Sequence, residues 1–121
     1  MIHEKNITEL LIRLGNQPNN KGFTFLRTGM LLCLEDRELC RNLSKGFYSR
    51  VAVHYGTTPA AVERNIRFAI NQGWSKRDKA LSEQIFRSFL QSERDVPTNS
   101  LYIAALAEWL AAHQDSLSSS P

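Results

Sequence analysis

A chain of 121 residues holds one compact domain and is short for two. Apolar residues at 42% and charged residues at 22% exclude a largely disordered chain, and no apolar run approaches the roughly 20 residues that cross a bilayer. The net charge of +3 is small, but from Ser44 to Lys79 seven Lys/Arg stand against two Asp/Glu, a concentration that points weakly to a polyanionic partner.

The opening residues Met1 to Lys5 lack the basic-then-apolar layout of a signal peptide, so a cytoplasmic location is expected. Asn6 and Glu9 have the spacing of a capping box, and Ile7, Leu10, Leu11 and Leu14 share one helical stripe that Gly15 ends. After the turn "NQPNNKG", Phe23, Leu26, Met30 and Leu34 recur at helical spacing. Phe23 to Phe25 also reads as strand, but no partner strand follows. "LEDRELCRNLSKG" carries Leu39 and Leu43 and predicts a short polar helix or turn. Cys33 and Cys40 have no Cys-x-x-Cys spacing and no histidine nearby, so both are read as reduced thiols in or near the core, without a zinc site or a disulfide.

Two helices then flank "YGTTP". Ala52, Gly56 and Val62 have the spacing of a helix-turn-helix: a small residue where the helices cross, a glycine at the reversal and an apolar residue facing back to the core. Gly56 suits the left-handed conformation that ends a helix, Thr58 the cap of the next and Pro59 its first position, where no N–H is needed. Val51, Tyr55, Val62, Ile66 and Ala69 are expected to point inward, leaving Glu63, Arg64, Arg67 and Phe68 on other faces. The usual pattern has a further apolar residue three positions after the valine; here that residue is Asn65. An ordinary helical hairpin with solvated arginines fits the same spacing.

Beyond it, Leu81, Ile85 and Phe89 form one stripe with Phe86 and Leu90 beside it. Pro97 and Thr98 begin a last helix from about Asn99 to His113, rich in alanine and leucine, with Ile103, Leu106 and Leu110 on one side. Residues 1–115 are read as one all-α domain of about six helices, and 116–121 as a frayed tail too polar to order itself.

Four stretches together, "ITELL" at Ile7, "KGFTFLR" at Lys21, "TTPAAVERNIRFAINQGWSKRD" at Thr57 and "PTNSLYIAALAEWL" at Pro97, resemble the C-terminal DNA-binding effector domains of the sporulation initiation transcription factor, a response regulator. The resemblance spans nearly the whole chain and implies a bundle of about six helices with an embedded helix-turn-helix. By it, the helix from Pro59 to Trp74 enters the major groove of double-stranded DNA. Arg64 occupies the base-reading position, where a planar guanidinium can bond guanine O6 and N7 together. Glu63 accepts from a cytosine amino group, orients a neighbouring arginine or lies solvated; Arg67 meets phosphate or a groove edge.

Ala61 stands where the family often has a basic residue, and Phe68 where it has histidine. Phe68 touches a thymine methyl or, as the favoured reading, is partly buried. Ser49, Thr57 and Thr58 are candidates to donate to phosphates, the threonines having capping and turn roles as well. Lys76, Arg77 and Lys79 are expected as exposed charges along the DNA backbone. "PTNS" caps the last helix, with Asn99 or Ser100 near DNA or a neighbouring protomer. Glu93, Arg94 and Asp95 replace a basic stretch of the family. The resemblance also implies a dimer on DNA and contact with the RNA polymerase sigma subunit, which would involve Leu81, Phe86 and Ala107 at most, although all three fit core packing better. No receiver domain fits within these residues, which reads as an excised effector or a stand-alone relative; by the resemblance, an excised effector is expected to bind DNA without phosphorylation.

His3, His54 and His113 are far apart, and no phosphate loop, carboxylate pair or nucleophile elbow appears, so neither catalysis nor a cofactor or metal is expected. The rival to DNA recognition is a protein-interaction module of the same fold that binds polymerase or another regulator.

Overall fold

The computed structural model describes residues 3–87, 90 and 95–113. Its helices are α1 (Glu4–Arg13), α2 (Lys21–Glu35), α3 (Glu38–Arg41), α4 (Phe47–Tyr55), α5 (Pro59–Gly73), α6 (Lys79–Phe86) and α7 (Asn99–Ala112), with a 3₁₀ turn at Trp74–Lys76 after α5. The all-α expectation is met, and the described residues contain no strand. The short polar segment is a helix, so seven helices stand among the described residues where about six were read. The tail from 116 and Phe89, Glu93 and Arg94 lie outside the described residues.

α1 begins earlier than its sequence implies. His3 is the N-cap and Asn6 lies inside the first turn, its Oδ1 accepting from the His3 N–H at 2.9 Å. Asn6 therefore satisfies an orphan donor from the third helical position instead of from the cap. Ile7, Leu10, Leu11 and Leu14 are buried as their stripe requires, and Gly15 ends the helix with φ of 91°.

In α2, Phe23 to Phe25 are helical, and Phe23, Leu26 and Met30 are wholly buried. The expectation for the cysteines is overturned: Cys33 and Cys40 form a disulfide, with Cα atoms 5.9 Å apart. Asp36 takes an extended conformation after α2, and the chain doubles back so that α3 lies under the end of α2. A separation of seven residues says nothing of that reversal, and a pair within the usual Cα distance follows only from it.

α2 packs against α1, α3, α4, α5 and α7, while α7 packs against α2, α3, α5 and α6. Tyr102, Ile103, Leu106 and Leu110 are at most 1% exposed, and buried Tyr102 stacks on Phe86 at 5.1 Å with Trp74 closing the aromatic cluster. Buried Asn16 donates from Nδ2 to Tyr102 Oη at 2.8 Å and to Leu11 O at 3.0 Å, so a polar side chain pins the α1 end to the first turn of α7. Asp78 ties α1 to α6: its N–H donates to Arg13 O at 2.8 Å, while its carboxylate caps α6 at Leu81 N and pairs with Arg13 at 2.8 Å. No helix among the described residues is long and apolar enough to cross a membrane.

Candidate nucleic-acid interface

The reversal between α4 and α5 is built by four adjacent residues. Gly56 adopts φ 66°, ψ 38°, and a Cβ there would meet nothing within 4 Å, so the glycine is required by conformation and not by space. The Thr57 N–H donates back to Ala52 O at 2.9 Å, closing the end of α4. Thr58 Oγ1 then accepts from Ala61 N at 3.1 Å and Pro59 takes the first helical position.

Val51, Ala52, Val62, Ile66 and Ala69 are buried at 2% exposure or less, as expected. Tyr55 is not: it is 40% exposed, its ring 5.5 Å from Phe25 and its hydroxyl 2.5 Å from Thr28 Oγ1. As the last residue of α4 it overhangs the flank of α2, where the core has ended. Asn65 fills the position that usually holds an apolar side chain. It is half-buried with Nδ2 donating to Ala61 O at 2.8 Å, and its carbonyl faces Gly22 of α2. The backbone approach of α2 there supplies the packing that an apolar side chain at this position would otherwise give.

On the outward side, Glu63 and Arg67 are ion-paired one turn apart. Arg64 is exposed, and no carboxylate among the described residues pairs with it. Phe68, expected to be partly buried, is 58% exposed. It follows Arg64 by one turn on the exposed side of α5. A basic guanidinium and an aromatic ring are thus presented side by side on a rigid helix held by its other faces.

Residues 7–110 match the family model of the sporulation initiation factor Spo0A C terminal. The chain belongs to that family. The match runs from the first buried residue of α1 to the last of α7 and contains the whole α4–α5 unit. The Spo0A C-terminal family is a DNA-binding effector domain that regulates transcription, and it is not an enzyme family.

Within this member of the Spo0A C-terminal family, the remaining sequence-chosen residues fall into two groups. Lys76 and Lys79 are exposed beyond α5, as expected. Arg77 is half-buried: its guanidinium lies 4.1 Å over the Trp74 ring, Nε donates to Ser82 Oγ at 2.9 Å and Nη1 to Trp74 O at 2.8 Å. It locks the 3₁₀ turn against α6 where an exposed charge was expected. Ser49 spends its hydroxyl proton on Ser44 O at 2.7 Å. Thr57 is half-buried in the turn, Thr58 is exposed, and Ala61 is half-buried at the start of the outward face.

Asn99 turns inward. Its Nδ2 donates to Tyr48 Oη at 3.1 Å and to Glu63 O at 3.0 Å, joining α7 to α4 and α5, while Ser100 is exposed and Thr98 caps α7 by accepting from Leu101 N at 3.3 Å. Burial raises the Tyr48 hydroxyl pKa above its ordinary value, partly offset by the Asn99 bond. Asn99 is therefore a positioning residue for α5 that its sequence context identified only as part of a capping motif. Leu81, Phe86 and Ala107, the positions implied for a sigma contact, are 4%, 1% and 2% exposed and serve the core.

Proposed function

We propose that this chain binds double-stranded DNA sequence-specifically and regulates transcription by laying α5 in the major groove as the recognition helix of a helix-turn-helix. The single observation that carries this is Arg64: exposed, without a carboxylate partner among the described residues, and held just past the Gly56 reversal on a helix whose opposite face is buried. Its planar fork matches the O6 and N7 acceptors of guanine. The Glu63–Arg67 pair supports the reading that Glu63 orients an arginine, with Arg67 directed to a phosphate or groove edge. Exposed Phe68 favours contact with a thymine methyl over a packing role. Thr57, Thr58 and Lys76 serve the phosphates beside the groove. Two protomers occupy adjacent half-sites.

Selection of bound duplexes from a random pool tests this directly. One enriched motif, with binding that weakens steeply as salt rises, is the expected result. The second reading, a protein-interaction module, draws on Val53 and Phe68, apolar side chains 82% and 58% exposed. It requires a pool without enrichment and association with a protein partner that is indifferent to salt.

A further inference from the structure

Gly22 brings a second element to the flank of α5. A Cβ on it would lie 2.1 Å from Asn65 O and 2.7 Å from the Ala69 Cβ, so only glycine lets the first turn of α2 rest on the α5 backbone. The approach places Lys21 along α5 and shapes a cleft of about 530 Å³ whose polar walls are Lys21, Thr24, Tyr55, Thr57, Arg64 and Asn65. No acidic side chain lines it, and no carboxylate among the described residues pairs with Lys21 or Arg64. The opposite flank of α5 differs: the cleft there, bounded by the start of α7, contains Glu63 and Arg67, which neutralise each other.

We propose that the Lys21 cleft seats the sugar–phosphate backbone of one DNA strand, with Lys21 and Thr24 as phosphate contacts supplied from outside the α4–α5 unit. The inference rests on the DNA-binding reading above and extends its contact surface to α2. An α-helix about 10–12 Å across fills a major groove about 12 Å wide, so a recognition helix has a phosphate backbone along each flank. The α2-side flank offers Lys21 without counter-charge among the described residues and hydroxyls from Thr24 and Thr57, the donor set a phosphodiester needs. A single Arg64 at the boundary is then able to face base edges while Lys21 holds the strand that carries them.

The test uses the full chain and the duplex enriched from the random pool, with affinity measured by fluorescence anisotropy across a salt series. Lys21→Ala is expected to weaken binding roughly fivefold to tenfold near 0.1 M salt and to make the log–log salt slope shallower by about 0.9, with the order of preference among sequences unchanged. Thr24→Val should weaken binding less, Lys21→Arg should restore it, and Lys5→Ala, at an exposed α1 position that does not line the cleft, should leave it at the wild-type value. Replacing backbone phosphates one at a time by neutral methylphosphonate should reveal one position that weakens wild type and makes no difference to Lys21→Ala. Wild-type affinity and slope in Lys21→Ala, or the same methylphosphonate profile in both proteins, would overturn the inference while leaving the Arg64 reading in place. Failure of the wild-type chain to bind any duplex would remove both.

Discussion

Two arginines on α5 carry the same charge into different surroundings. Arg67 is neutralised by Glu63, whereas Arg64 has no counter-charge among the described residues, so the two should respond differently to truncation. Arg64→Ala is expected to cost about 1–3 kcal/mol of binding and to relax preference at one base position. Arg67→Ala should weaken all sequences alike; repeating the pool selection with each variant separates these outcomes. Two glycines make a similar contrast. Gly56→Ala meets no atom but forces a Cβ into the left-handed region, which costs about 1–2 kcal/mol in a denaturant titration and leaves the helices where they are. Gly22→Ala drives a Cβ into backbone at Asn65, a fixed obstacle, so α2 must shift. A loss of about 1–3 kcal/mol is expected, and here DNA affinity should fall with it because the flank of α5 is displaced.

Between elements, the orientation of α5 depends on a bond from a residue far along the chain. Asn99 at the start of α7 donates to the Glu63 carbonyl in α5 and to Tyr48 in α4, so one amide joins three helices. Asn99→Ala leaves the buried Tyr48 hydroxyl without its donor and removes the tie to the Glu63 carbonyl, a loss of about 1–3 kcal/mol by thermal denaturation. Because Asn99 is 9% exposed, the accompanying loss of DNA affinity should be uniform across sequences, the mark of a misplaced helix and not of a missing base contact. α1 and α6 are joined in a comparable way through Asp78, which both caps α6 and pairs with Arg13. Sequence alone showed Asp78 only as one of two acids in a basic stretch, because its partner lies 65 positions away.

For the molecule as a whole, these ties set the pH window of stability. The Arg13 hydrogen bond, with the Leu81 N–H behind it, holds the Asp78 carboxyl below its ordinary range. Its stabilisation is therefore fully present above the unfolded value near ~3.9 and is lost as pH falls through the lower folded value. Burial holds the Tyr102 hydroxyl pKa well above the ordinary range, so the neutral phenol is favoured in the folded state; that stabilisation is complete below about 10 and declines as pH rises further. Urea midpoints across pH should be level near neutrality and fall at both ends, with Asp78→Asn flattening the acid limb and leaving the alkaline one. An unchanged acid limb in that variant would show that other carboxylates govern it. The sequence by itself determined the helices, the Gly56–Thr58–Pro59 reversal and the outward placement of Arg64, because periodicity, capping and left-handed glycine are set by residues within a few positions of one another. It misplaced the start of α1 by the same local logic, since an asparagine serves a helix from the cap or from the third position. Only the tertiary structure decided the Cys33–Cys40 bond, the exposure of Tyr55 and Phe68, the partial burial of Arg77 and the burial of Asn99, and the cleft at Lys21. Each of these depends on whether a distant element arrives to cover, pair or abut the side chain, and packing between helices is what settles that.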